Sequence, residues 1–127
     1  MQYIYQATLE RVVDGDTVDI VIDLGFSTFR KERIRLYGID APEINTEAGK
    51  LAKAFAEGWF RDNPKFFVET TVAEGKSVSK RDKYGRYLGT IGATYNDVED
   101  EHRLGDPPPY TLNGQLITSG HAKARAW

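Results

Sequence analysis

The chain has 127 residues, 40% of them apolar and 28% charged, with a net charge of −2. This suits one globular domain, residues 1–127, large enough to bury a core, and no run approaches the ~18 apolar residues that span a membrane. Cysteine is absent and only His102 and His121 supply imidazole, which excludes disulfides, thiolate-bound zinc and a histidine-rich metal site and leaves oxygen ligands for a hard cation such as Ca²⁺ or Mg²⁺.

The slight acidity argues against a general nucleic-acid coat, but it is local. Residues 97–101 carry four acids, and the rest of the chain is positive. Lys76, Lys80, Arg81, Lys83 and Arg86 form a basic stretch broken only by Asp82. Residues 1–6 have neither the basic nor the apolar region of a signal peptide. The chain as written is expected in the cytoplasm, and outside the cell if a leader has been removed.

Taken in order, residues 3–13 read as a strand. Residues 17–24 alternate, with Val18, Ile20, Ile22 and Leu24 on one face, as a half-buried strand does. Residues 27–39 are its partner beyond a turn at Asp23-Leu24-Gly25. There Ile34, Leu36 and Phe29 interleave with Arg33 and Arg35, so the two-residue period places Arg33, Arg35 and Tyr37 together on the other face. Pro42 stops the ladder. Asn45 or Thr46 caps a helix with Glu47 in its first turn, and Ala48, Leu51, Ala52, Phe55 and Trp59 give it an apolar stripe. Asn63-Pro64 ends it. Residues 66–72 and 86–91 are strands, 95–111 a loop, and 112–119 a helix closed by Gly120. Five strands with an inserted helix predict an α+β fold, a small five-stranded Greek-key β-barrel (OB-fold) with two or three helices.

Three short stretches carry the chemistry. In Asp14-Gly15-Asp16-Thr17, Asp16 sits at a tight turn entering a strand; turn formation alone would account for it, and Asp14 can orient a ligand from behind. In Arg35-Leu36-Tyr37-Gly38-Ile39-Asp40-Ala41-Pro42-Glu43, two carboxylates flank a stiff proline corner, although acids also favour the start of a helix for its dipole. Asp82-Lys83-Tyr84-Gly85-Arg86 reads as a basic turn with an aromatic face for a base or sugar. Carboxylates suit a hard divalent cation and guanidinium forks suit a phosphate. Together they describe a metal-dependent phosphodiester hydrolase. The histidines have no evident partners, residues 97–101 read as a solvated loop, and serine-hydrolase, Walker and dinucleotide patterns are absent.

These stretches, together and in this order, resemble the staphylococcal nuclease (thermonuclease) family from about residue 7 to about 123; Leu112-Asn113 and Gly120-His121-Ala122-Lys123 are similar to its later helix. The resemblance implies the OB-fold and a Ca²⁺-dependent endonuclease acting on DNA, RNA or both and leaving 3′-phosphate ends. It implies Asp16, Asp40 and the Ala41 backbone carbonyl as metal ligands. Glu43 would be the general base or the orienter of the attacking water. Arg35 and Arg86 would hold the scissile phosphate, and Lys83 and Tyr84 a neighbouring one. A monomer off the membrane is expected. The rival reading is a non-catalytic nucleic-acid- or protein-binding module of the same fold; the retention of all five acidic and arginine positions favours the enzyme. Against the family pattern, the corner after Glu43 is short and the 95–111 segment long. Only Trp127 is available for the family's late aromatic contacts, and its final helix has no counterpart, so either something else closes the core or the chain is trimmed.

Overall fold

The structure is a computed structural model that describes residues 2–72, 79–99 and 105–126. Lys76, Asp100, Glu101, His102 and Trp127, singled out above, lie outside the described residues. Alternating β-branched residues build the first three strands: β1 (Tyr3–Asp14), β2 (Thr17–Asp23) and β3 (Phe29–Leu36). Val18, Ile20, Ile22, Ile34 and Leu36 point inward and are buried. The antiparallel β2–β3 register pairs Thr17 with Arg35 and Asp19 with Arg33.

After a two-residue strand β4 (Ile39–Asp40) comes helix α1 (Glu47–Asp62), followed by strands β5 (Phe66–Thr70) and β6 (Tyr87–Gly92). The order β1-β2-β3-β6-β5 closes into a barrel. Strand β1 makes the closure: residues 3–7 pair with β5 and residues 7–14 with β2, with register shifts near Leu9 and Val12. β6 lies parallel to β3 and places Leu88 opposite Arg35. The expected five-stranded α+β barrel is thus present.

Thr46, not Asn45, caps α1, its hydroxyl accepting from Gly49 N at 3.0 Å. The buried face of α1 is Gly49, Ala52, Ala56, Trp59 and Phe60. Trp59 and Phe60 pack edge-on against each other and against the fully buried Phe66; burying such a ring is worth ~2–3 kcal/mol. Leu51 remains 51% exposed, because the stripe that meets the barrel is turned from the one the sequence pattern suggests. Phe29 is likewise outside, at 62% exposed.

The 95–111 segment is not all loop. Helix α2 (Tyr95–Val98) makes one turn there, fixed by a capping box between Thr94 and Asp97 and anchored by the buried Val98. Helix α3 (Leu112–Thr118) follows. Its buried Asn113 donates from Nδ2 to the Tyr37 and Gly89 carbonyls and accepts from Ile91 N, so one side chain joins the end of β3 to β6. Strand β7 (Lys123–Ala124) then pairs with β4, Lys123 opposite Asp40, and Arg125 N donates to the Gly38 carbonyl at 2.8 Å. The chain after α3 therefore braces the corner that carries Asp40.

Gly49 shows how tightly this corner meets the helix. A Cβ there would lie 1.9 Å from the Glu43 carbonyl oxygen. Gly49→Ala is expected to displace the 40–43 corner and lower unfolding free energy by ~1–3 kcal/mol, measured by urea denaturation.

Candidate active site

The site gathers around one buried cation. Arg35 leaves β3 only 4% exposed, although the strand pleat places it on the face opposite Ile34 and Leu36. Its Nη1 donates to the Leu36 and Ile39 carbonyls at 3.1 and 2.9 Å. Its Nη2 meets Asp40 Oδ1 at 2.6 Å and Asp16 Oδ2 at 3.4 Å. A guanidinium taken from water needs such partners to offset its desolvation. The two carboxylates expected to hold a metal are therefore drawn to the same nitrogen from opposite ends of the first motif pair.

Asp16 is the more enclosed of the two. Its Oδ2 accepts from Ala41 N at 2.9 Å, and its backbone N donates to Asp14 Oδ1 at 3.1 Å. Burial, and then the Asp14 carboxyl beside it, raise its pKa to about 6, against the lowering influence of Ala41 N and Arg35. Asp40 is half exposed and also contacts Arg125 Nη1 at 3.2 Å. Asp40, Ala41 and Glu43 line a cleft of about 420 Å³, with Gly120 to Lys123 on its other side.

Arg86 joins this group through Thr17. Its Nη1 donates to Thr17 Oγ1 at 3.4 Å, and that hydroxyl donates to Asp16 Oδ1 at 3.2 Å. The Arg86 Nε is held by Asp82 Oδ2 at 2.7 Å. Lys83 and Tyr84 form the tip of the same turn. Tyr84 is 73% exposed, with Lys83 Nζ and Arg86 Cζ 5.2 and 5.3 Å from its ring centre.

Arg33 is not part of the group. Its guanidinium forks onto Asp19 at 2.8 and 3.1 Å on the outer wall of the barrel, which also holds Arg11. Three contributors were not recognised in the sequence. Thr17 lay inside a quoted motif but had no assigned role. Arg125 and His121 reach the corner only because β7 pairs with β4; His121 also stacks against Phe55, ring centres 4.9 Å apart.

No group of three or more His, Asp or Glu side chains is placed to hold a metal ion among the described residues. The donors present are two carboxylates and the Ala41 carbonyl, all oxygen. The two carboxylates already meet a positive nitrogen, and oxygen donors of this kind fit a hard divalent cation whose remaining positions water would fill.

The family model described as Staphylococcal nuclease homologue matches residues 33–127. The chain belongs to this family. Among its relatives are protein ParB of Escherichia coli, 31% identical over 114 residues (90% of this chain, 54% of that protein); an uncharacterized endonuclease of Escherichia coli O157:H7, 36% identical over 87 residues (65% and 45%); and a micrococcal nuclease of Shigella flexneri, 34% identical over 90 residues (70% and 43%). The chain spans about half the length of these relatives. No helix among the described residues is long and apolar enough to cross a membrane.

In this staphylococcal nuclease homologue the basic turn depends on Asp82, whose side chain is 2% exposed. Burial disfavours its charge, but hydrogen bonds from Arg86 N, Arg86 Nε and Tyr84 N prevail and hold its pKa below the usual carboxylate value. A depressed acid contributes stability that is present above its unfolded pKa of ~3.9 and is lost as pH falls through the folded value. Asp82→Asn is expected to cost ~1–2 kcal/mol at neutral pH and to flatten the loss of stability between about pH 5 and pH 2, read from denaturation curves across that range.

Proposed function

We propose that residues 1–127 act as one nuclease domain, a Ca²⁺-dependent endonuclease that hydrolyses phosphodiester bonds of DNA, RNA or both and leaves 3′-phosphate ends. The observation that carries this reading is the meeting of Asp16 and Asp40 at Arg35, beside a cleft that contains Glu43 and in hydrogen-bond continuity with Arg86. Turn formation accounts for Asp16 alone and helix charge for Glu43 alone. Neither accounts for the meeting of Asp16 and Asp40 at a buried arginine beside the cleft that contains Glu43.

Asp16, Asp40 and the Ala41 carbonyl would hold the cation, whose positive charge favours the charge gained by phosphorus as water adds. Glu43 would accept the water's proton or orient that water. Arg35 and Arg86 would hold the scissile phosphate; a guanidinium matches two phosphate oxygens at once. Both arginines meet carboxylates, Arg35 on Asp40 and Arg86 on Asp82, so a phosphate would share them with an anionic partner. Lys83 and Tyr84, at the exposed turn tip, would hold the next phosphate. Contacts of this kind carry no base identity, so weak sequence preference is expected.

A second reading, a non-catalytic nucleic-acid- or protein-binding module, draws on the lack of a three-ligand acidic cluster among the described residues. Activity separates the two. The whole chain is expected to cleave single-stranded DNA or RNA in Ca²⁺ and to stop in EDTA. Glu43→Ala and Arg35→Ala are each expected to slow cleavage by about a hundredfold or more, with product 3′ ends that block extension until a phosphatase treats them. Folded wild-type protein without cleavage would favour the binding module; variants as fast as wild type would remove Glu43 and Arg35 from the mechanism.

A further inference from the structure

A cleft of about 590 Å³ forms a mouth in the barrel wall between β2, β3 and the start of β6. Its lining runs from Leu24, past the Asp23 end of β2, along Arg30, Glu32 and Ile34 of β3 to Tyr87, and it includes none of Asp16, Asp40 and Glu43. Ile22 and Ile34 line it from the core, and Tyr5, Tyr87 and Leu24 add apolar surface. The volume is in the range of small-molecule sites, which combine an apolar surround with a few placed polar groups.

The polar groups are mainly cationic. Arg30, Lys80 and Arg81 line the cleft with one acid, Glu32, which pairs with Arg30. Lys80 and Arg81 have no carboxylate partner among the described residues. Arg81 lies over the Tyr87 ring, its Cζ 4.2 Å from the ring centre, and donates to the Tyr87 hydroxyl. A guanidinium over an aromatic ring, with Arg30 Cζ 5.9 Å from the same ring centre, thus stands beside Lys80 at the edge of an apolar opening. That combination suits an anion joined to a flat apolar body.

We infer that this mouth is a second nucleotide-binding site, taking a phosphate against Lys80 and Arg81 and a base against the tyrosine-lined opening. Base stacking on aromatic and guanidinium planes tolerates any base. The site is linked to the first through one segment. Residues 81 and 87 form a β-bridge, and between them runs the turn that holds Lys83, Tyr84 and Arg86. Arg86 in this turn reaches Thr17 at the Asp16–Asp40 group, and Arg81 and Tyr87 at its base line the mouth. The bound unit is either a free nucleotide or one residue of a longer strand. The inference does not require cleavage.

Amide NMR of the whole chain in EDTA tests it, with adenosine monophosphate, inorganic phosphate and a short single-stranded oligonucleotide as separate probes. Adenosine monophosphate is expected to shift Tyr5, Ile22 and Tyr87 saturably, and phosphate alone to shift only the Lys80–Arg81 edge. Lys80→Glu and Arg81→Ala, each checked for an unchanged melting profile, are expected to weaken nucleotide binding at least tenfold, whereas Arg86→Ala leaves the mouth shifts in place. Tighter binding of the oligonucleotide with the same mouth shifts assigns the site to strand binding; equal or weaker binding assigns it to free nucleotide. Shifts confined to residues 40–43 and 83–86, or affinity unchanged in both mouth variants, would overturn the inference. Because no cleavage occurs in EDTA, this outcome is independent of whether the other site is catalytic.

Discussion

The buried charge of Arg35 is the constraint around which the site is built. A guanidinium that is 4% exposed must be surrounded by acceptors, and the Leu36 and Ile39 carbonyls, Asp16 and Asp40 are among them. Those groups come from the start of β2 and the corner after β3. Satisfying the arginine therefore brings the two acidic stretches together. Gly15 permits the approach, since a Cβ there would lie 2.7 Å from the Ala52 Cβ and 2.8 Å from the Ala41 Cβ. The same closeness buries Asp16 and lifts its pKa to about 6. Sites that gather partly buried carboxylates are costly for the fold alone, and such perturbation is common where function requires it.

The Asp82–Arg86 turn plays the complementary part. Asp82 is spent inside the turn, accepting from three donors, and it leaves the basic and aromatic groups facing outward. Arg86 is positioned between this carboxylate and Thr17, so its direction is set from both sides. The strand that follows alternates: Arg86 faces the site, and Tyr87 turns to the barrel mouth. One short hairpin thereby contributes to both the site and the mouth.

Much of the barrel was legible because its strands obey a two-residue period and are separated by turn residues. Ile20 and Ile34 were identifiable as core from that pattern. Arg35 was identifiable as a site residue from its motif, but its burial was not, because the pleat gives a face and not the depth of the wall beyond it. The phase of the α1 stripe slipped for a similar reason: Leu51 and Phe60 are both apolar, and only the position of the barrel decides that Phe60 is inside. The helical turn at Tyr95–Val98 had a local signal in Thr94 and Asp97, obscured by the acidic run that follows. Arg125 had none. It lies 85 residues from Asp40 and meets it through the β4–β7 pairing, a tertiary event that no local pattern encodes.

The central claim is that the two carboxylates held by Arg35 form the cation site of this domain. Calorimetric titration of CaCl₂ into the whole chain tests it most directly, alongside Asp16→Asn and Asp40→Asn variants shown to be folded. The account requires one saturable Ca²⁺ site, weakened at least tenfold by either substitution. Undiminished binding in both variants, or no binding by the folded wild-type chain, would contradict it.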